Sequence, residues 1–314
     1  MWFIFALVTF VTWGAADLFY KKSNDEEEKY SHLKTSMMVG LVMGISAVIT
    51  ILIKGIDYDF RNLLIYLPVS AMYILSMTIG YFGLRYLEVS VSSPIQNASG
   101  AVSALLLMIV LREMPDTLSC VAIAVITVGV VLLGEIERKK ELRYYEETGN
   151  KYKIGIVAFM IPVLYCFIDS LGTFLDGYYL DDIEKTPLVG VTSDTFEDVA
   201  NISYEFTFLI VAILLFIYVR VIKKEKIVPK MQGNRAVAAC FETIGQYTYV
   251  YAMAGGEDGN PIVAAPMIAS YCVASVIFAR IFIKEKLTVK QYCAVALVFA
   301  GIILLGIVEG INWE

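Results

Sequence analysis

Residues 94–134 read PIQNASGAVSALLLMIVLREMPDTLSCVAIAVITVGVVLLG, and residues 266–306 read PMIASYCVASVIFARIFIKEKLTVKQYCAVALVFAGIILLG. The two stretches align without a gap, and they share residues that seldom coincide by chance in apolar sequence. The matched pairs are Pro94 with Pro266, Ser103 with Ser275, Glu113 with Glu285, Gly129 with Gly301 and Gly134 with Gly306. Identical spacing over this length indicates an internal repeat, and the repeat decides the fold.

The composition is that of a membrane protein. Of the 314 residues, 58% are hydrophobic and 18% are charged, and the mean hydropathy is +0.68. Soluble domains contain roughly 45–50% apolar and about 25% charged residues, so a soluble enzyme and a disordered chain are both excluded. The net charge of −6, without a basic stripe, excludes a nucleic-acid partner. The surroundings expected for this chain are a lipid bilayer.

Ten segments are long and apolar enough to cross a membrane as helices, since a span needs about 20 mostly apolar residues. They are Trp2–Tyr20, Thr35–Ile53, Leu63–Leu84, Ser92–Leu111, Leu118–Gly134, Ile154–Tyr178, Ile202–Val221, Ala236–Met253, Ile262–Ile283 and Val289–Val308. The sequence therefore predicts an all-α integral membrane protein with ten transmembrane helices.

Looser matches carry the repeat into the other helices. Thr78-Ile79-Gly80 matches Thr243-Ile244-Gly245, and Trp13 and Asp17 match Tyr165 and Asp169 with the same four-residue step. Each half then contains five helices, and because five is odd, the second half enters the membrane inverted. An inverted repeat of this kind is a transporter architecture, with the substrate site near the midplane between the halves.

The repeat predicts a first five-helix unit at 1–136, a charged cytoplasmic linker at 137–153 and a second unit at 154–314. The second unit includes an acidic extracellular loop at 179–201. Orientation follows from lysine and arginine, which accumulate on the cytoplasmic side. Because twenty-one of the 25 lie in odd-numbered connections between spans, we expect a multi-pass protein of the cell membrane with both termini extracytoplasmic.

Three carboxylates interrupt the apolar spans: Asp17 in the first, Asp169 in the sixth and Glu242 in the eighth. An ionisable residue in mid-membrane costs about 2.5–3.5 kcal/mol on insertion scales, and it usually faces a cavity or a partner. At helical spacing each one shares a face with aromatic or amide side chains. The candidate substrate-binding residues are Trp13, Asp17, Gln96, Asn97, Tyr165, Asp169, Glu242, Gln246 and Tyr249. Tyr20 lies on the same face as Asp17, and we expect it at the membrane interface or in a loop.

The expected interior is acidic and aromatic, which suits a cation. Carboxylates supply negative charge, and aromatic faces add a cation–π attraction of roughly 0.5–2 kcal/mol. A buried carboxylate also binds a proton more readily than an exposed one. The sequence therefore predicts secondary active transport of a small organic cation, amine or zwitterion, exchanged against protons that Asp17, Glu242 and Asp169 carry.

Other functions stay open on the sequence. A neutral metabolite such as a sugar or nucleoside could stack on tyrosines and hydrogen-bond Gln96 and Asn97. The chain could also be a non-transporting scaffold whose carboxylates pair with Lys21 or cap helices. Since no metalloprotease, serine-hydrolase or P-loop motif is present, we predict no enzyme activity, cofactor or metal. The oligomeric state is open between monomer and homodimer.

The sequence resembles the drug/metabolite transporter superfamily, in particular its EamA-type members with ten helices. Trp13-Gly14 followed by Lys21 resembles the first-helix pattern of that family. The family's repeat signature is a proline, then a glutamate after the fourth helix of each half, then a glycine-rich fifth helix. Both copies are present, as Pro94/Glu113/Gly129/Gly134 and Pro266/Glu285/Gly301/Gly306. The resemblance implies alternating access around a central cavity, and it leaves amino acids, amines, nucleotide derivatives and sugars open as substrates.

Overall fold

The structure is a computed structural model that describes residues 1–23, 28–83, 96–148, 156–254, 261–284 and 287–312. The helices of the first half are α1 (Trp2–Ser23), α2 (Ser31–Lys54), α3 (Arg61–Ile65), α4 (Leu67–Gly83), α5 (Ser99–Leu111) and α6 (Thr117–Thr148). Those of the second half are α7 (Ile156–Leu180), α8 (Phe196–Phe216) with a π-helical continuation Ile217–Ile222, α9 (Pro229–Met253), α10 (Pro261–Ala269), α11 (Cys272–Phe278) with a π-helical continuation Ala279–Ile283, and α12 (Val289–Asn312). Within these ranges no strand occurs.

The outer surface of the helix assembly is apolar. In the part of the chain that the structure describes, seven helical segments are long and apolar enough to cross a membrane, and α4 and α5 are shorter apolar helices. Large hydrophobic side chains point outward, among them Leu52 and Ile53 with 76% and 79% of their surface exposed. Exposing such a surface to water is unfavourable in free energy, whereas contact with lipid is not. The chain is therefore a multi-span helical membrane protein.

Two of the predicted spans are divided. The third, Leu63–Leu84, consists of α3 and α4, which are separated at Tyr66. The ninth, Ile262–Ile283, is interrupted between α10 and α11, where the Ser270 hydroxyl donates to the Met267 carbonyl at 2.6 Å. A local bond of this kind satisfies a backbone group that the interrupted helix leaves free. The fourth predicted span has a turn at residues 97–98 before α5, and its first residues, like Pro94, lie outside the described ranges.

The two predicted polar segments have different boundaries from those expected. The linker predicted at 137–153 is helical as far as Thr148, because α6 continues through it, and residues 149–153 lie outside the described part. The acidic loop predicted at 179–201 is shorter, since α7 ends at Leu180 and α8 begins at Phe196. Two of its acidic residues belong to the first turn of α8, where negative charge favours the helix N-terminus. Glu285 of the repeat also lies outside the described residues.

The helices pack across the two halves of the sequence. The largest pairings are α1 with α9, α2 with α8, α4 with α7, α5 with α10, and α6 with α12. Each joins a helix of the first half to a helix of the second half. The core therefore lies between the halves, and neither half has a separate core of its own.

The contact between α6 and α12 is reciprocal. A Cβ on Gly129 would lie 2.5 Å from Val298 Cγ2, and a Cβ on Gly301 would lie 2.6 Å from Ile126 Cγ1. Gly301 follows Gly129 by the same 172 positions that separate Val298 from Ile126. A contact in which each partner repeats the role of the other is the mark of a two-fold arrangement. Glycine is required at both places because the backbones approach too closely for a side chain.

Two connections tie the halves together at opposite ends of the assembly. At one end Glu28 accepts hydrogen bonds from Lys34 at 2.7 Å and from Arg235, which is fully buried. Burial alone would raise the pKa of Glu28, but the bonds from Arg235 and Lys34 outweigh it and hold the pKa below its ordinary value. We call these three residues the Glu28 cluster.

At the other end, where Lys54 of α2 pairs with Asp198 of α8, neutral groups also hold the connection between α7 and α8. The Asn62 side-chain amide donates to the Val189 carbonyl at 2.9 Å, and the Val189 N–H donates to the Asn62 side-chain oxygen at 2.8 Å. Asn62 is fully buried. We call this pair the Asn62 clasp, and it ties the connection 181–195 to α3.

Candidate functional site

A cavity lies between the two halves. Helices α1, α4, α7, α9 and α10 form most of its wall. All nine candidate residues from the sequence line it: Trp13, Asp17, Gln96, Asn97, Tyr165, Asp169, Glu242, Gln246 and Tyr249. The structure thus brings the whole set together, while their role in binding stays a prediction.

Trp13 of α1 occupies one side of the cavity, where it lies on Gly245 of α9. A Cβ at Gly245 would lie 2.5 Å from Trp13 Nε1, so only glycine lets the indole approach this closely. The indole N–H donates to the Glu242 carbonyl at 3.3 Å. The ring stacks on Tyr249 with 5.3 Å between centroids and meets Tyr271 edge-on at 5.7 Å. These contacts fix the indole as a rigid wall of the cavity.

Tyr165 of α7 occupies the opposite side in the same way. Its ring lies on Gly80 of α4, where a Cβ would lie 2.9 Å from Tyr165 Cε2. Gly80 belongs to the Thr-Ile-Gly stretch that matches Thr243-Ile244-Gly245, and Tyr165 is the residue that matches Trp13. The loosest part of the sequence match therefore corresponds to two equivalent ring-on-glycine contacts.

Two of the three carboxylates accept hydrogen bonds from serines of a neighbouring helix. The Ser275 hydroxyl of α11 donates to Asp17 Oδ2 at 2.7 Å. Asp169 accepts from the Ser99 hydroxyl of α5 at 2.7 Å and from the Ser76 hydroxyl of α4 at 3.2 Å. Neutral donors of this kind orient a carboxylate without neutralising it, which leaves its charge to act on the cavity.

The third carboxylate, Glu242, has no counterpart in the first half. The repeat places it opposite Met77, which also lines the cavity. Among the described residues that form the lining there is no lysine, arginine or histidine. Lys21, which the sequence offered as a partner for the carboxylates, is exposed and does not line the cavity. The described wall is therefore acidic, aromatic and amide-bearing.

Sequence reasoning missed most of the aromatic lining. Tyr20 was expected at the interface or in a loop, but it is 3% exposed and lines the cavity. The other unpredicted tyrosines of the wall are Tyr73, Tyr81, Tyr204 and Tyr271. The expectation for Tyr20 is wrong because α1 continues to Ser23 and carries it inward. The signal available was its seven-residue step from Trp13, which keeps both on one face.

Two buried carboxylates also escaped the sequence analysis. Asp176 lies in the predicted sixth span, Ile154–Tyr178, but is not among the predicted site residues; in the structure it is inside α7 and fully buried. Glu205 of α8 lies in the predicted seventh span and is 1% exposed. Lys54 follows the predicted second span, and it ends α2 with its Nζ 2.7 Å from Asp198 Oδ2. Each of these groups is placed by a partner helix that is distant in sequence, so no local pattern reveals its partner.

Comparison with known proteins agrees with this architecture. The sequence model of the EamA-like transporter family matches residues 1–134 and 190–307. One solved crystal structure of a protein superposes with a TM-score of 0.68 at 11% sequence identity, over 98% of this chain and 96% of that chain. At this identity the superposition shows a shared fold only. No curated protein matches the sequence.

The family match covers both halves of the chain and the residues that carried the resemblance in the sequence. The resemblance to the drug/metabolite transporter superfamily is therefore confirmed. A helical membrane fold with a cavity between its halves is what a transporter of small molecules requires. The chain belongs to the EamA-like transporter family, and it is a membrane transporter of small molecules.

Proposed function

We propose that this protein is a secondary active transporter of a cationic or zwitterionic amine, which it exchanges for protons by alternating access. The observation that carries the proposal is the composition of the cavity wall. Asp17, Asp169 and Glu242 line it together with eight tryptophan and tyrosine rings, and no basic side chain is among the described lining residues. An anion would lack a partner there, whereas a cation meets negative charge on several sides.

The energetics favour an ammonium group over a neutral solute. A hydrogen bond to a charged group contributes about 1.5–3 kcal/mol, and each well-placed aromatic face adds roughly 0.5–2 kcal/mol to a cation. Trp13 contacts both Tyr249 and Tyr271, so these rings are held in place before a substrate binds. A preorganised cage avoids the entropy cost of ordering side chains when the substrate binds.

Coupling to protons follows from competition for the same carboxylates. A carboxylate that accepts a proton becomes neutral and releases the ammonium group. A carboxylate that loses its proton becomes negative again and attracts the next ammonium group. We assign this exchange to Asp17, Asp169 and Glu242. Because the serine hydroxyls that donate to Asp17 and Asp169 are neutral, a proton can bind either carboxylate without leaving those donors as unpaired charges.

The architecture proposed for this function has ten transmembrane helices in two inverted repeats, 1–136 and 154–314, joined by the cytoplasmic linker 137–153. The reciprocal contacts of Gly129 and Gly301 support a two-fold relation between the halves. Helix interruptions at 97–98 and 270–271 flank the cavity, and discontinuous helices are typical of substrate sites in transporters with inverted repeats. The distribution of lysine and arginine places both termini on the extracytoplasmic side of the cell membrane.

The first experiment is a thermal-shift screen of the full chain in detergent at about pH 5.5 and about pH 8. The panel contains quaternary amines, polyamines, amino acids, sugars, nucleosides and organic anions. A ligand that binds the folded state at a hundredfold excess over Kd stabilises it by about 2.7 kcal/mol. We expect stabilisation by amines alone, and more strongly at the higher pH, because ionised carboxylates bind them.

The alternative substrate is a neutral sugar or nucleoside, and the amides of the cavity favour it. Gln96 Nε2 and Gln246 Nε2 are buried and have no hydrogen-bond partner in the described part of the chain. Stabilisation by sugars or nucleosides, equal at both pH values, would replace the amine proposal with this one. If no class of the panel stabilises the protein, the scaffold function is favoured. Light scattering of the same sample distinguishes monomer from homodimer.

A further inference from the structure

A fourth carboxylate lies next to the cavity but does not line it. Asp176 of α7 is fully buried, and the Tyr66 hydroxyl donates to its Oδ1. Its Oδ2 has no hydrogen-bond partner among the described residues, and the hydroxyl of Tyr249 is its other polar neighbour. A buried carboxylate without a cation is costly, and in membrane proteins such a group marks a pathway or a relay.

Hydroxyl groups connect the surroundings of Asp176 with the cavity wall. The Tyr249 and Tyr73 hydroxyl oxygens are 2.7 Å apart, and the Tyr73 hydroxyl donates to Thr173 Oγ1 at 3.0 Å. Tyr73, Tyr249 and Thr173 all line the cavity. Thr173 lies between Asp169 and Asp176 on one face of α7, four residues after the first and three before the second. The carboxylates inside and outside the cavity therefore stand at the two ends of one polar row.

We propose that Asp176 is a proton-binding site and that Tyr249, Tyr73 and Thr173 relay its proton to the cavity. This inference rests on the proposed proton exchange and adds the route by which protons reach it. In the transfer, the Asp176 O–H bond breaks and its proton passes to the Tyr249 oxygen, while Tyr249 gives its own proton to Tyr73. Tyr73 passes its proton to Thr173, which delivers one to Asp169. Each hydroxyl ends with the proton count it began with.

The groups around Asp176 favour a proton as its only counter-ion. Tyr66 and Tyr73 face it from the α3–α4 side, Tyr249 from α9 and Tyr204 from α8. The next residue, Gly177, packs against the apolar side chains of Leu107 and Met253. The hydrogen-bond partners of Asp176 within the described ranges are the tyrosines Tyr66 and Tyr249. The Asn62 clasp lies one turn before Tyr66, so Asp176 stands between the fixed connection and the cavity.

The test begins without any substrate. Infrared difference spectra of the full chain in lipid vesicles, taken across a pH titration, report the carboxylic C=O band of each protonated carboxyl group. We expect Asp176→Asn to remove one titrating band and Tyr73→Phe to keep it. If the spectra of wild type and Asp176→Asn titrate identically, Asp176 binds no proton and the proposal is overturned, whatever the substrate is.

The relay is tested by proton flux into proteoliposomes that contain a pH indicator, with choline as the probe. We expect choline-driven proton flux to fall at least tenfold in Asp176→Asn and in Tyr73→Phe. Choline–choline exchange in Asp176→Asn should persist, because that exchange needs no proton. Tyr179→Phe is the control, since Tyr179 contacts the Tyr66 ring at 5.9 Å but lies outside the row.

The outcomes separate the inference from the function on which it rests. If Asp176→Asn keeps proton flux within about twofold of wild type, or Tyr73→Phe behaves as Tyr179→Phe does, the relay is wrong while amine transport stands. If the wild type moves neither choline nor protons, the amine proposal fails for this probe. In that case the infrared titration alone decides whether Asp176 binds a proton.

Discussion

The contact of α1 with α9 and the contact of α4 with α7 have the same geometry. In one, the Trp13 ring lies on Gly245, and in the other the Tyr165 ring lies on Gly80. In both, the ring is followed four residues later by a carboxylate that accepts from a serine. Small residues at matched positions let the backbones approach, and this is how apolar helices associate in a membrane.

The chemistry of the two contacts differs at one position. Glu242 of α9 faces the cavity where α4 presents Met77. The two halves therefore repeat the helix packing but not the charge of the cavity wall. A single side chain, Glu242 in place of Met77, changes the charge without moving a helix. The Glu28 cluster and the Asn62 clasp differ in a similar manner, because the first is ionic and the second is neutral.

The largest effect is expected at the Glu28 cluster. Glu28→Gln removes the negative charge beside the buried Arg235, and an unpaired buried charge costs about 3–5 kcal/mol. The free energy of unfolding in mixed micelles measures the loss. Glu135→Gln is the matched control, because the Glu135 and Arg138 side chains are both about 40% exposed and such pairs contribute about 1 kcal/mol or less. Equal losses in the free energy of unfolding for Glu28→Gln and Glu135→Gln would show that Glu28 does not compensate a buried charge.

The next effect concerns the asymmetry of the cavity. Glu242→Gln keeps the shape of the side chain and removes its charge, so we expect the affinity for a quaternary amine to fall about 100-fold, or about 2.7 kcal/mol. Thermal shift across a ligand titration measures it. The exchange variant, Glu242→Met with Met77→Glu, should recover part of the affinity if the two positions face the same space. Unchanged affinity in Glu242→Gln would remove this carboxylate from the site.

A smaller effect is expected where the rings lie on glycine. Gly245→Ala forces Trp13 to move, and overpacking of this kind costs about 1–3 kcal/mol. Gly80→Ala should cost less, because a Cβ there would lie 2.9 Å from the Tyr165 ring, against 2.5 Å from Trp13 Nε1 at Gly245. Gly233→Ala is the control on α9, since no atom lies within 4 Å of its Cβ position, and it should stabilise the helix by up to about 1 kcal/mol. A larger loss of stability in Gly80→Ala than in Gly245→Ala would contradict this prediction.

The sequence was sufficient for a helical membrane fold and for the close contacts at the matched glycines Gly129 and Gly301. Apolar length predicts a span, and a glycine matched across the halves predicts a close contact, because both depend on local properties. The same reasoning brought Asp17, Asp169 and Glu242 to one cavity, since an intramembrane charge needs a polar neighbour.

What the sequence could not predict depends on partners from distant helices. Asp176 falls near the end of a predicted span, and only the position of Tyr66 shows that its side chain is buried among partners. Lys54 reads as a loop residue until Asp198 and two tyrosines of α9 are seen around it. Burial of a polar group is decided by the helix that covers it, and a single sequence does not contain that pairing.

The smallest effect, and the sharpest comparison of the two ends, is the loss of the Asn62 clasp. Asn62→Ala removes two hydrogen bonds between neutral groups, and each contributes about 1 kcal/mol, so the expected loss is about 1–2 kcal/mol. No titratable group takes part, and this loss should be the same at every pH. The free energy of unfolding of Asn62→Ala and wild type, measured as a function of pH, gives the comparison.

The Glu28 cluster should behave oppositely in the same titration. The folded protein lowers the pKa of Glu28 below the ordinary value of 4.5, so its contribution is fully present above that pH. It is lost as the pH falls through the lowered pKa, where Glu28 is protonated in the folded state as well. The difference between wild type and Glu28→Gln should therefore shrink in acid, while the difference between wild type and Asn62→Ala stays constant. If both differences shrink together, the contrast between an ionic cluster and a neutral clasp is wrong, because the Asn62 clasp would then depend on a titrating group.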